Sequence, residues 1–162
     1  MAFGDGTIQR KIVVRSDKDT HFSGALIQNA VEHEDIAIDE RLHRTNEFVV
    51  EQIAIISDEN LEWDVFFWST SGNLDASDYD DDKFIEYQNF SSSSGKQIAG
   101  AGGYYYATSG LSIPYRDDDV DERSNSAILH VSLVNRSAGA KTAGSAGEAV
   151  VICTLRPVYG SA

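Results

Sequence analysis

Two clusters of aspartates are the residues whose type and spacing could bind a metal ion. Asp75, Asp78, Asp80, Asp81 and Asp82 lie in one polar stretch, and calcium takes roughly six to eight oxygen ligands, often from a flexible loop. The stretch lacks the glycine and the glutamate that an EF-hand loop requires. It is therefore either a weak calcium site, with Asp75, Asp78, Asp80 and Asp82 as ligands, or a solvated acidic loop. We favour the loop and predict no cofactor.

A second acidic stretch allows the same two interpretations. Its carboxylates are Asp117, Asp118, Asp119, Asp121 and Glu122. Runs of like charge are most often solvated surface segments. We predict a surface loop here as well.

No side chain that commonly acts as nucleophile, base or zinc ligand falls in a catalytic motif. His21, His33, His43 and His130 are scattered, without an HExxH pattern. No serine lies in a GxSxG turn, and Cys153 stands inside an apolar alternating run. We predict that the protein is not an enzyme and that Cys153 is a buried, unreactive thiol.

Aromatic side chains are the strongest candidates for recognition of a partner. The candidates are Trp63, Trp68, Tyr79, Tyr87, Tyr104, Tyr105 and Tyr106. We expect Trp63 in the core and Trp68 only partly buried. Strand alternation points Tyr105 away from its neighbours, so Tyr104 and Tyr106 join Trp68 as predicted interface residues.

A basic segment near the amino terminus is unusual in so acidic a chain. Arg10, Lys11 and Arg15 lie in the run Thr7 to Arg15, which reads as a strand with Ile8, Ile12 and Val14 on one face. Lysine and arginine commonly guard an edge strand against pairing. The alternative is a segment that docks on an acidic neighbour, and these three residues are the remaining predicted interface residues.

Composition limits the classes of partner. The chain has 162 residues and a net charge of −13, from 26 acidic and 13 basic residues, so direct binding to nucleic acid or to an anionic membrane is not expected. The single cysteine excludes an intrachain disulfide. No run resembles a signal peptide or reaches transmembrane length, and we expect synthesis in a cytoplasm.

The element that must position these residues is the apolar stretch from Glu47 to Ser69. Two runs rich in Val, Ile, Phe and Trp flank the polar segment Ser57 to Asn60, which predicts a hairpin of two central strands. Further strands are predicted over residues 25–39, 83–90, 96–108, 111–115, 126–135 and 148–158. The pattern predicts an all-β, single-domain antiparallel β-sandwich of jelly-roll type over residues 7–160, after a flexible arm at residues 1–6.

Over about residues 47 to 158 the sequence resembles small accessory virion proteins of tailed bacteriophages, namely capsid decoration or cement proteins. The resemblance lies in the order of three runs: FVVEQIAIISDENLEWDVFFWS, KQIAGAGGYYYATSGLSIPYRDDD and SAILHVSLVNRSAGAKTAGSAGEAVVICTLRPV. It implies a jelly-roll body, often a homotrimer, that binds the major capsid protein on the outer surface of the virion. The part before residue 47 has no counterpart.

Two other functions stay open from the residues alone. A carbohydrate-binding module, or a phage receptor-binding or tail accessory domain, would use Trp68 or the tyrosines as stacking platforms, with calcium in an acidic loop. A hydrolase would need Glu51 and either Glu62 or Asp64 to flank one cleft. Paired carboxylates are common on β-sheet faces, and we favour the structural virion protein.

Overall fold

The chain folds as β-strands, seen here in a computed structural model. The structure describes residues 11–16, 25–26, 28–29, 31–38, 45–70, 83–98, 103–118, 127–137, 141–142 and 149–158. The strands are β1 Ile12–Arg15, β2 Ala25–Leu26, β3 Val31–Ala37, β4 Glu47–Ser57, β5 Trp63–Trp68, β6 Phe84–Phe90, β7 Lys96–Gln97, β8 Tyr104–Thr108, β9 Ile113–Arg116, β10 Ile128–Asn135, β11 Lys141–Thr142 and β12 Ala149–Pro157. One 3-10 turn spans Ser92–Ser94.

Two antiparallel sheets pack against each other as a sandwich. The six-stranded sheet has the order β1-β12-β4-β8-β7, with β9 beside β8 on β4, and the four-stranded sheet has the order β3-β10-β5-β6. The chain moves back and forth between the sheets, so that sequence neighbours such as β3 and β4 lie in different layers. This order is that of a double-sheet jelly roll. The predicted fold class is confirmed.

The core lies between the inward faces of the two sheets. Alternation directs the even-numbered apolar residues of β1 and the odd-numbered ones of β5 and β10 to the inside. The fully buried members include Phe48, Ile53, Ile55, Trp63, Phe67, Leu129, Val151, Cys153 and Leu155. Trp63 and Cys153 are therefore core residues, as expected, and burial raises the pKa of the Cys153 thiol to about 12.

The long apolar stretch does not form a hairpin. β4 pairs with β8, β9 and β12, whereas β5 pairs with β6 and β10. Both are central strands, as predicted, but the expectation that they pair around Ser57–Asn60 is wrong. Each has an apolar inward face, so the two strands pack across the core instead of side by side.

Tyr106 stabilises the segment between β4 and β5, where the chain crosses from one sheet to the other. Its hydroxyl donates to Asn60 Oδ1 at 2.7 Å and accepts from the Leu61 amide at 3.0 Å. A Cβ at Gly95 would lie 2.8 Å from the Tyr106 ring, so only glycine fits beside this side chain. The buried hydroxyl satisfies a backbone donor that the crossing leaves outside both ladders.

Residues 96–108 also depart from expectation. They were predicted as one strand, but β7 and β8 are two strands that pair with each other. The Ile98 amide donates to the Gly103 carbonyl at 2.8 Å, so the chain reverses direction between them.

Candidate interaction surface

The outward face of the six-stranded sheet is apolar at its centre, and we call it the open face. Its apolar residues are Val13, Ala54, Ile56, Tyr105, Ala107, Val150 and Ile152. Cross-strand register places Tyr105, Ile56 and Val150 in one row and Ala107, Ala54 and Ile152 in the next. Val13 is 65% exposed and Tyr105 is 36% exposed, whereas Ala54 and Val150 are buried. An aromatic and aliphatic patch of this kind is typical of protein interfaces.

Charged side chains surround this patch and are mostly basic. The strands of the sheet carry four basic residues, Arg15, Lys96, Arg116 and Arg156, and two acidic ones, Glu47 and Glu51. The net charge of these strands is therefore +2, whereas the net charge of the whole chain is −13. Lys11, just before β1, adds another positive charge.

Glu51 organises the basic residues on one side of the open face. Its carboxylate accepts from Lys11 Nζ at 3.0 Å and from Arg156 Nε at 2.8 Å. The hydrogen bond from Lys11, and to a smaller extent the one from Arg156, lowers the pKa of Glu51. The carboxylate therefore stays ionised and fixes two cations beside the apolar patch.

The outward face of the four-stranded sheet, which we call the closed face, is buried along its two central strands, β5 and β10. Phe66, Trp68, Ser132 and Val134 have 8%, 0%, 0% and 1% exposure. The strands of this sheet carry five acidic residues and no lysine or arginine. The strands of the two sheets thus differ in net charge, and the outward side chains of β5 and β10 are buried, whereas Val13 and Tyr105 are exposed.

A buried hydroxyl links two strands of the closed face. Ser132 Oγ accepts from Trp68 Nε1 at 2.8 Å and is hydrogen-bonded to His33 Nδ1. A serine beside a histidine is the arrangement of an activated nucleophile. Here the serine is fully buried beneath the indole, so the contact serves to satisfy the polar atoms of the sheet.

His130 lies between two carboxylates. Its Nδ1 is 2.7 Å from Asp35 Oδ1 and its Nε2 is 3.0 Å from Asp117 Oδ1. Burial alone would lower the pKa of His130, but the hydrogen bonds to Asp117 and Asp35, together with their charges, raise it above the usual value. With a carboxylate at each ring nitrogen, the imidazolium is the favoured form.

Asp117 also supports the end of β10. Its Oδ2 accepts from the Ile128 amide at 2.7 Å, and the Tyr115 hydroxyl donates to the Ile128 carbonyl at 2.7 Å. Asp117 is fully buried. Asp117 therefore has a structural role. The prediction that it lies in a solvated surface loop is wrong. Asp118 is exposed and pairs with Arg116 at 2.9 Å.

A shallow cleft of about 480 Å³ lies where the first residues of β4 and β6 approach β9. Phe84, Ile85 and Pro114 give it apolar walls, and Arg116 pairs with Asp118 at its rim. We assign it no ligand.

The structure does not bring the predicted interface residues together on one surface. Lys11 and Arg15 are exposed on the open face, and Arg10 lies outside the described residues. Tyr104 is partly buried on the inward side. Tyr106 is fully buried and serves the crossing described above, so it cannot act as a surface anchor.

The prediction for Trp68 is wrong. The residue was expected to be partly exposed, but its side chain is fully buried and its indole nitrogen is bonded to Ser132. A stacking platform for sugars therefore cannot be built on it. Tyr87 and Tyr105 are exposed, but they lie on different sheets and make no common row.

The pair of carboxylates considered for a hydrolase is not brought together. Glu51 lies on the open face, paired with Lys11 and Arg156. Asp64 lies on the other sheet, where it accepts from Arg136 Nε at 2.7 Å. The body of the sandwich separates the two carboxylates, so they cannot flank one cleft.

Val13 and Ile152 are residues of the open face that sequence reasoning missed. Alternation placed Ile12 and Val14 on one face and therefore Val13 on the other, and the structure shows Val13 exposed between these two buried neighbours. That alternation was the available signal, but only charged and aromatic side chains were considered as interface residues.

The calcium candidates Asp75, Asp78, Asp80 and Asp82 lie outside the described residues, as do Asp119, Asp121 and Glu122. Within the part of the chain that the structure describes, no group of three or more His, Cys, Asp or Glu side chains could hold a metal ion. No helix in that part is long and apolar enough to cross a membrane.

Comparison with known proteins does not assign the chain to a family. Neither the models of protein families nor the curated protein sequences give a match. Function must therefore be inferred from the two faces themselves.

Proposed function

We propose that the chain is a structural virion protein, a capsid decoration or cement protein that binds the outer surface of a phage head and stabilises the shell. The observation that carries the proposal is the open face, on which Val13 and Tyr105 are exposed, with Arg15 two residues from Val13 on β1 and Lys96 opposite Tyr105. Such a face is suited to binding another protein.

The burial of the side chains that could act as nucleophile or base supports a binding role. Ser132 and His130 are buried in hydrogen bonds within the closed face. Cys153 is a core thiol whose pKa is raised by burial. These groups stabilise the sandwich, while Val13 and Tyr105 are exposed on the other sheet.

Fold and charge agree with the proposal by analogy. Double-sheet jelly rolls occur among viral capsid and lectin domains, although a fold alone does not fix a function. A net charge of −13 suits a protein that stays outside a DNA-filled shell. In this proposal the partner is the major capsid protein, and the chain is made in the host cytoplasm.

Co-sedimentation with shells tests the proposal. Shells are assembled from the major capsid protein encoded in the same genome and pelleted with the full chain. We expect saturable binding and a higher melting temperature of the decorated shells. A chain that stays in the supernatant, but is retained on immobilised polysaccharide and released by EDTA, would replace this function with carbohydrate binding.

A further inference from the structure

The side of β6 that faces away from β5, which we call the β6 edge, has little protection against pairing with another chain. β6 ends the four-stranded sheet, and among the described residues it pairs with β5 alone. Its sequence FIEYQNF contains one charged residue and no proline. Natural edge strands are commonly short or carry lysine, proline or several charges, which prevent unwanted pairing.

The other edge strands in the described part of the chain have such protection. β1 follows Lys11 and ends in Arg15, and β9 contains Pro114 and Arg116. β2, β7 and β11 have only two residues each. β3 is as long as β6 but has three acidic residues. Of these strands, β6 is therefore the best suited to forming ladder hydrogen bonds with an added chain.

Side chains of β6 itself occupy two backbone groups of the β6 edge. The Tyr87 amide donates to Glu86 Oε1 at 3.0 Å, and the Asn89 carbonyl accepts from Gln88 Nε2 at 3.0 Å. Residues two apart in an antiparallel strand direct their backbone groups to the same side, so both groups lie away from β5. Both hydrogen bonds are exposed to solvent, and a strand of another protein can replace them.

The charge beside the β6 edge favours a basic partner. Glu86 and Glu62 have no basic partner among the described residues, and Glu62 Oε1 accepts from Asn89 Nδ2 at 3.0 Å. Asp64, by contrast, is paired with Arg136 at 2.7 Å. One carboxylate thus lies at Glu86 and another beside Asn89, and lysine or arginine in an added strand would be attracted to both.

We propose that the β6 edge binds an extended, basic segment of another protein by strand addition. The Tyr87 amide and the Asn89 carbonyl form main-chain hydrogen bonds with this segment, in place of their bonds within β6. In this mode of recognition the main-chain bonds provide affinity and the side chains select the partner. β6 belongs to the sheet opposite the open face, so the site does not use the surface that is proposed to bind the shell.

A capped seven-residue peptide in which lysine alternates with valine is the probe, because it is as long as β6, is basic and favours an extended strand. Two matched peptides change one property each. One has a methyl group on every backbone nitrogen, and the other has glutamate in place of lysine. Fluorescence anisotropy of the labelled peptides measures binding to the full chain, and amide NMR spectra locate the site.

We expect the lysine peptide to bind and to shift the amide signals of β6. The methylated peptide and the glutamate peptide should each bind at least about tenfold more weakly, since loss of a single hydrogen bond has an effect of this size.

Two protein variants test the role of charge. Glu86→Gln keeps an acceptor for the Tyr87 amide but removes the charge, and should weaken binding of the lysine peptide about threefold. Asp58→Asn removes a charge from the exposed segment between β4 and β5. It serves as the matched control and should leave binding unchanged.

Three results would overturn the inference: no binding of the lysine peptide, equal binding of the methylated peptide, or amide shifts centred on another strand. Equal weakening by Glu86→Gln and Asp58→Asn would show an effect of net charge alone and would overturn the basic partner. Shell binding is a separate outcome, because it reports on the open face. A chain that binds the peptide but not shells overturns only the proposed function, and a chain that binds shells but not the peptide overturns only the inference.

Discussion

On the four-stranded sheet the outward side chains of the two central strands are buried, whereas on the six-stranded sheet two outward apolar side chains are exposed beside charged residues. Trp68 and Ser132 represent the first arrangement, and Val13 and Tyr105 the second. Residues of similar hydrophobicity thus have different roles in the two sheets. Substitutions on the closed face should change stability, and those on the open face should change association.

The largest loss of stability is expected for Trp68→Ala. The change removes a fully buried indole and the donor to Ser132 Oγ, and should lower the free energy of unfolding by about 4 kcal/mol. Val13→Ala is the matched change on the open face and should stay within about 0.5 kcal/mol. Urea unfolding monitored by circular dichroism measures both. Equal losses would remove the distinction between the two faces.

A somewhat smaller loss is expected for His130→Gln. The substitution leaves the buried Asp117 carboxylate without its imidazolium partner, and should cost about 3 kcal/mol at pH 6. Chemical unfolding at that pH measures the loss. A variant as stable as the wild type would show that His130 is not charged in the folded protein.

The contribution of His130 should also depend on pH. Its pKa is raised above 6.5 in the folded protein, so its stabilising effect is complete below that pH and is lost as the pH rises through the folded-state pKa. The difference in unfolding free energy between wild type and His130→Gln should therefore shrink between pH 6 and pH 9. A difference that grows over this range would contradict the assigned direction.

Tyr106→Phe should have an intermediate effect. The change removes the hydroxyl that bonds the Leu61 amide and Asn60 where the chain crosses between the sheets, at a cost of about 1–2 kcal/mol. Tyr105→Phe removes a hydroxyl from the open face and serves as the control, with no measurable loss. Thermal melting of the two variants side by side decides whether the crossing depends on this hydroxyl.

Glu51→Gln should have the smallest effect on stability. It removes one carboxylate that pairs with Lys11 and Arg156 at the surface, and such pairs contribute less than about 1 kcal/mol. The pKa of Glu51 is lowered, so its contribution is present above the usual value of 4.5 and is lost as the pH falls through the folded-state pKa. Unfolding curves should show a difference from wild type at pH 7 that shrinks as the pH is lowered below 4.5.

Much of this fold follows from alternation in the sequence, because side chains two residues apart share one face of a strand. That rule predicted the buried Trp63 and the opposed direction of Tyr105. It does not tell which sheet a strand joins, since β4 and β5 have the same period whether they pair or cross the core. The hairpin around Ser57–Asn60 was predicted wrongly for this reason.

The candidate surface was predicted only in part. Lys11 and Arg15 stand out by charge, and both are exposed on the open face. Trp68 could not be placed from sequence, because its burial depends on Ser132, which lies 64 residues away along the chain. Contacts between residues so far apart along the chain leave no local pattern in the sequence.

Hydroxyl-radical footprinting of two tyrosines tests the central claim most directly. Tyr105 on the open face and Tyr87 on the other sheet are 36% and 52% exposed in a single chain. Both are labelled in the free chain and in the chain bound to shells of the major capsid protein. We predict that shell binding lowers the oxidation of Tyr105 and leaves that of Tyr87 unchanged. Equal oxidation of Tyr105 in the two samples, or protection of Tyr87 alone, would contradict the assignment of the open face as the binding surface.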